Sequence, residues 1–290
     1  MYEFHTDYKK YFDIQLSNAR QWVLPFVEQA KKIEPGMQLL EIGCGQGSLL
    51  RAFAEKGCIC TGVEMYPLWL EKAKEWLQPE LQSGAVKLID SNIYDVDPEK
   101  DLGTKFDIII LKDVIEHIHD QQKLIGWMKH FLKPAINGKP GGVIFFGFPP
   151  WQMPYGGHQQ MMQGWLGKTP YWHLLPMPLF KGLMKVNKQY SEDLVEIKET
   201  GITIERFENI LRKTGYKVLQ QKHWLINPVY EYKFGWRPRV QFALVKAIPF
   251  VRNFLTTAVY YIVTPAAPAA DLMSVYGHKP TTQTNNQTSE

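Results

Sequence analysis

Short apolar runs at 39–42, 57–63, 86–89, 106–111 and 143–148 punctuate the first half of the chain, and amphipathic stretches separate them. Runs this brief and this continuous read as strands buried on both faces, and the intervening stretches carry helical spacing. Strands alternating with helices predict a parallel sheet covered on both sides. Residues 17–32 read as a helix capped by Ser17, with Trp22, Val23, Phe26 and Val27 on one face. Thr203 to Thr214 reads as another, with Ile204, Phe207, Ile210 and Leu211 in register and Gly215 as its stop. Tyr216–Asn227 and Val229–Phe234 then read as two further strands.

The first run ends in Glu41-Ile42-Gly43-Cys44-Gly45-Gln46-Gly47-Ser48, and a helical segment from Leu49 follows at once. A strand turning tightly into a helix needs glycine where a Cβ would block the backbone or keep a ligand away from it. The helix start offers free N–H groups and a positive dipole end. The spacing G-x-G-x-G differs from the dinucleotide fingerprint, because Ser48 stands where the third glycine of that fingerprint falls. Glu64, at the end of the second run and about 20 residues past the turn, is placed to accept both hydroxyls of a ribose.

This order resembles the class I S-adenosylmethionine-dependent methyltransferases over roughly residues 15–150. The resemblance is carried by Glu41 to Gly47, by Glu64, by Phe106-Asp107-Ile108-Ile109 with Asp113-Val114-Ile115-Glu116-His117, and by Phe131-Leu132-Lys133-Pro134 to Gly141-Gly142. The fourth-strand segment is similar to the small-molecule branch that includes ubiquinone-biosynthesis O-methyltransferases. The resemblance implies an α/β, doubly wound, Rossmann-like sheet of seven strands, the last antiparallel. It also implies S-adenosylmethionine as cofactor. Glu41, Gly43, Cys44, Gly45 and Gly47 then line the methionine end, Glu64 holds the ribose and Met65 packs on the adenine. Asn92 with Ile93 meets the adenine edge, where the family has an aspartate and Asp90 competes for the place. Lys112 and Asp113 border the reactive end. Arg20 stands either as a contact of the cofactor carboxylate or as a solvated helix residue.

Composition narrows the partners. A net charge of +4 over 290 residues gives no general attraction to a polyanion. Cys44, Cys58 and Cys60 suggest no disulfide framework, and no histidine spacing completes a zinc site with them, so no metal is assigned. The first residues lack a basic start followed by an apolar stretch, and a cytoplasmic location is expected.

Past residue 150 the chain turns rich in Trp, Met, Pro, Tyr and His. Ligands of doubly wound sheets lie beyond the carboxyl ends of the strands, so an aromatic insertion leaving the fifth strand reads as a lid or as an extra packing element. An oxygen acceptor needs a general base, and histidine suits that role near neutral pH. His158 is the first candidate, carried by a flexible Gly156-Gly157 pair; His117 is the second, and His173 lies in the same insertion. From Arg212 to Arg252 nine basic residues face only Glu231, and Phe254 to Ala270 is largely apolar but broken by Pro265 and Pro268. This region reads either as an amphipathic helix resting on an anionic membrane or as a cover for the core.

The expected organisation is therefore an N-terminal helical cap at 1–34, a cofactor core at 35–150 and a lid/substrate insertion at 151–200. Completion of the sheet follows at 201–245, an amphipathic segment at 246–278 and a disordered tail at 279–290. The expected partner is a small, partly apolar acceptor, with peripheral membrane contact. An enzyme methylating nucleic-acid bases is disfavoured, since the Pro-Pro-aromatic run Pro149-Pro150-Trp151 follows the fifth strand and not the fourth, while the basic C-terminal region keeps an RNA or lipid-like substrate at a membrane surface as the alternative. A nicotinamide dehydrogenase shares the glycine turn and Glu64, but Ser48 and the Asp113–His117 segment count against it. A cofactor-binding or membrane-binding protein without turnover is the non-enzymatic alternative.

Overall fold

In the computed structural model, residues 7–135 and 141–266 are described. Five parallel strands form the first half of one sheet: β1 (Gln38–Ile42), β2 (Ile59–Glu64), β3 (Val86–Asp90), β4 (Ile108–Lys112) and β5 (Val143–Phe148). β6 (Tyr216–Ile226), β7 (Arg239–Val240) and β8 (Ala258–Pro265) complete it in the order β3-β2-β1-β4-β5-β8-β6-β7. The strand order reverses between β1 and β4, and in such sheets the crevice that takes a ligand lies beyond the carboxyl ends of the strands at that point.

Two expectations about the second half do not hold. Val229–Phe234 is a helix, not a strand: the Asn227 side chain accepts from the Val229 N–H at 3.2 Å, and Gly235 ends the helix at φ 71°. The antiparallel strand is instead β8, drawn from the stretch read as an amphipathic C-terminal segment, and it lies between β5 and β6. A strand buried on both faces shows no alternation, so Val259-Tyr260-Tyr261-Ile262-Val263 reads equally as a buried helix. The sheet thus has eight strands and not seven, the additional one being the two-residue edge β7. Residues 267–290, which hold the expected tail, lie outside the described residues.

Two apolar layers sandwich the sheet. One packs Phe12, Leu16, Val23, Phe26 and Leu50 against Leu39, Ile108, Phe145 and Tyr260; the other packs Leu124, Ile125, Phe207 and Leu211 against Leu40, Ile109, Phe146 and Tyr261. The N-terminal helix begins at Tyr8, earlier than the expected 17, because Asp7 caps it by accepting from the Lys10 N–H at 2.9 Å. A π-helical turn at Ala19–Val23 joins it to Leu24–Ala30. In the first of these helices the Phe12 ring packs edge-on against Trp76 and under Arg51.

Residues 151–203 form a helical insertion with its own apolar cluster, in which Leu166, Trp172, Phe180, Met184 and Leu194 are buried. It is bolted to the loop after β4. Thr200 Oγ1 donates to the Glu116 carbonyl at 2.6 Å, and the Gln121 side chain donates to the carbonyls of Ile115 (3.0 Å) and Thr200 (2.6 Å).

Candidate active site

The glycine turn sits on β1 at the reversal point. Gly43, Gly45 and Gly47 all adopt positive φ, at 68°, 52° and 80°. Each is required for a different reason. A Cβ on Gly43 would meet Val114 at 2.7 Å, and one on Gly47 would meet Leu77 at 2.3 Å, so both are packing glycines. A Cβ on Gly45 would meet nothing within 4 Å; it would project into open space over the turn, where a ligand has to approach.

Glu64 ties this turn to the end of β2. One carboxylate oxygen accepts from the Gly45 N–H at 2.8 Å, and the other accepts from the N–H groups of Met65 and Tyr66, both at 2.9 Å. Beside it the exposed Met65 has its sulfur 3.9 Å from the Asn92 side-chain nitrogen, so those two line one wall of the crevice together. Asn92 also caps the short turn after β3, accepting from the Tyr94 N–H at 3.0 Å. The Ile93 side chain is buried in the core, so its part in the site falls to its main chain.

Two side chains in the turn region carry polar atoms without partners among the described residues. Glu41 is buried with its Oε2 unpaired among the described residues, and burial raises its pKa well above the usual range, against the pull of Lys112. Gln46 is buried with both amide atoms unpaired. Burying such atoms without partners is costly, which suits a place where a polar ligand completes the bonding. Cys44 is buried too, and burial raises its thiol pKa, so it acts as a small packing residue and not as a nucleophile.

Beyond β4 the chain makes a strained turn. Asp113 adopts φ 56°, uncommon for a non-glycine residue, with its N–H held by the Gly147 carbonyl at 2.7 Å. Lys112 is almost fully buried, 2.5 Å from the Asp113 carboxylate and 3.3 Å from the Gln15 amide oxygen. Burial opposes the charge on each, yet their mutual attraction holds Lys112 above and Asp113 below its ordinary pKa. Arg20 is committed elsewhere, to Glu55 at 2.9 Å.

The histidines divide sharply. His117 and His158 come together, ring centres 5.2 Å apart, and Glu116 joins them: one ligand-type atom from each of the three lies within 4.8 Å of the others. His173 does not join. It is fully buried, its ring nitrogens 2.9 Å from the Gln159 amide nitrogen and 2.8 Å from the Trp151 carbonyl, so it fixes the insertion. Nor is Gly156-Gly157 a flexible hinge. A Cβ on Gly157 would strike His173 at 2.4 Å, and one on Gly156 the Trp151 carbonyl at 2.2 Å. These glycines allow close packing that sets His158, at φ 53°, against His117.

Several residues escaped sequence reasoning. Tyr11 and Gln15 project from the N-terminal helix toward Lys112, and Lys233 lies over the Tyr11 ring at 5.4 Å. Burial lowers the Lys233 pKa to about 8 despite Asp113 nearby. For Gln15, the available signal was a polar residue on the buried face of an amphipathic helix.

Comparison with known proteins gives the family. Residues 15–178 match the methyltransferase-domain family, more than half of the chain. The chain belongs to that family, in its class I, S-adenosylmethionine-dependent branch. The ubiquinone biosynthesis O-methyltransferase of Pasteurella multocida (strain Pm70) is 30% identical over 128 residues, which are 42% of this chain and 50% of the relative. The chain thus spans about half the length of the curated relatives it matches. Among solved structures, the plantazolicin methyltransferase BpumL in complex with SAH superposes with a TM-score of 0.53 at 12% identity, covering 91% of this chain and 89% of that one. Phosphoethanolamine N-methyltransferase 2 of Haemonchus contortus gives 0.51 at 16%, covering 85% and 53%. At those identities the likeness is one of fold.

Proposed function

We propose that this protein transfers a methyl group from S-adenosylmethionine to a small, partly apolar acceptor, through an oxygen atom. The observation that carries the proposal is the pairing of the open Gly45 position with the Glu64 carboxylate at the sheet's reversal point. The residues suit the cofactor: Gly45 leaves room against the main chain, Glu64 can take the ribose hydroxyls, Met65 and Asn92 flank the adenine, and Gln46 and Glu41 have polar atoms to spare. When bound there, the sulfonium supplies an electrophilic methyl and a neutral thioether leaving group.

The chain's own contribution is alignment and deprotonation. Holding the acceptor oxygen in line with the methyl, about 3 Å away, accounts for most of the acceleration available to such a displacement. Lys112 and Asp113 border that position, and the acceptor's proton is taken up at the Glu116, His117 and His158 cluster. The insertion at 151–203 serves as the lid that excludes water. Trp151, Met153 and Tyr155 offer the apolar wall expected for the acceptor.

A second surface supports a lipid-like acceptor reached from a membrane. Among the described residues no helix is long and apolar enough to cross a bilayer. Yet Trp236, Phe242, Leu244, Phe250 and Leu255 are exposed on the excursion between β6 and β8, with Arg237 and Arg239 exposed beside them. Arg252 is not part of that basic surface, because it pairs with Glu205 at 2.8 Å and Glu208 at 2.6 Å. The similarity to ubiquinone biosynthesis O-methyltransferases supports transfer to oxygen. The test is methyl incorporation from labelled S-adenosylmethionine into an apolar metabolite extract. Labelled product that survives base and phase-partitions into solvent supports the proposal; incorporation confined to RNA would overturn it.

A further inference from the structure

We propose that Lys233, Lys112 and an inward polar stripe of the N-terminal helix form a subsite for an acid group on the methyl acceptor, which is therefore a hydroxylated carboxylic acid. The stripe is Tyr11, Gln15 and Asn18, spaced i, i+4 and i+7 along Tyr8–Asn18 and so on one helical face. Each meets a different partner. Lys233 lies over the Tyr11 ring at 5.4 Å, Gln15 accepts from Lys112 at 3.3 Å, and Asn18 stands beside the Tyr260 hydroxyl. Lys112 and Tyr260 occupy one register row of the sheet, so their side chains rise on the same face. The residue between them in that row is Gly147, which has no side chain to separate them.

The described residues leave this stripe incomplete. Gln15, Asn18 and Tyr260 are buried, and both amide atoms of Asn18 and the Tyr260 hydroxyl lack hydrogen-bond partners among the described residues. Burying polar atoms in this state is costly unless a polar guest completes them. The π-helical turn that begins directly after Asn18 points the same way, since such turns recur at functional sites.

Charge decides what kind of guest fits. Among the described residues, Lys112 and Lys233 bring two positive charges to this space, against the ionised carboxylate of Asp113. Burial pushes Glu41 and Glu116, the other acids on which Lys112 acts, toward their neutral forms. Lys233 keeps its charge at pH 7, since burial lowers its pKa only to about 8. S-adenosylmethionine, a zwitterion that also carries a sulfonium, adds one further net positive charge. A carboxylate offsets this excess, and a neutral group does not. Position assigns that carboxylate to the acceptor, an assignment that rests on the methyltransferase reading. Lys112 and Tyr260 stand on β4 and β8, whereas Glu64 and Asn92, the nucleoside side, stand at the ends of β2 and β3, across β1. Asp113 also feels His158 of the insertion along with both lysines, so the subsite lies on the insertion's side of the turn.

The test titrates the full chain with benzoate and with benzamide by calorimetry, in excess S-adenosylhomocysteine so that the place of the cofactor's own carboxylate is filled. Benzamide keeps the ring and removes the charge. Benzoate should bind at one site, at least about tenfold tighter than benzamide. Lys233→Met should cut that preference to less than about twofold, and Lys233→Arg should keep most of it. Affinity for S-adenosylhomocysteine, measured on the same samples, should stay within about twofold, which also verifies that the variants are folded. Absence of benzoate binding, equal affinity for the two probes, or a preference that survives Lys233→Met overturns the subsite. Binding of S-adenosylhomocysteine without a benzoate preference sinks the acid-group subsite alone. A benzoate preference without S-adenosylhomocysteine binding sinks the methyltransferase reading and leaves the subsite standing.

Discussion

At the residue scale, the glycine turn and Glu64 were legible because backbone conformation and carboxylate placement leave few alternatives for those residue types. The histidines were not equally legible. His117, His158 and His173 look alike in sequence, and only packing distinguishes the pair that faces the crevice from the one sealed under Trp151. The sealed histidine has a measurable consequence. His173, and likewise the buried His223, keep their imidazoles neutral in the fold, with burial pushing each pKa down from 6.5 to about 4. The unfolded chain therefore binds more protons between about pH 6.5 and 4, and stability is complete above that window and declines as pH falls through it. Each histidine contributes on the order of 2–3 kcal/mol to the loss. Urea midpoints measured from pH 7 to pH 4 should fall accordingly, and a His173→Gln variant should show a shallower decline. A flat profile would mean that these imidazoles are hydrated.

At the scale of elements, β1 to β5 could be read because short apolar runs alternate with amphipathic helices. β8 could not, because full burial erases the period-two signal. The Tyr260 and Tyr261 hydroxyls did not mark it either, since nothing in sequence shows that one faces the N-terminal helix and the other Glu208. The insertion's attachment was equally hidden. Gly201 lies so close to Trp151 that a Cβ there would meet the indole at 2.3 Å. Gly201→Ala should force that ring aside and cost about 1–3 kcal/mol of stability. If the insertion positions the acceptor, the same change should depress turnover tenfold or more while leaving cofactor affinity nearly unchanged. Equal losses of both would show that the insertion also supports the cofactor crevice.

For the whole molecule, the exposed face between β6 and β8 sets apart a chain whose net charge alone promises no strong electrostatic attachment. The sequence showed the basic and aromatic residues there but not which of them stay free, and the pairing of Arg252 with two glutamates removes one. Co-sedimentation with anionic vesicles at low salt should be appreciable and should weaken as salt rises. Phe242→Asp combined with Leu244→Asp should abolish it, because both side chains are more than half exposed. Vesicle binding that survives this double substitution would assign the contact to another surface.

The central claim concerns the crevice at the reversal of strand order, and calorimetric titration with S-adenosylmethionine tests it most directly. Wild-type protein should bind one equivalent, and Glu64→Ala should weaken binding by at least about tenfold, the worth of one or two charge-assisted hydrogen bonds. Gly45→Val, which fills the open position and forces a β-branched residue to positive φ, should do the same. No heat of binding in the wild type, or equal affinity in both variants, would contradict the account.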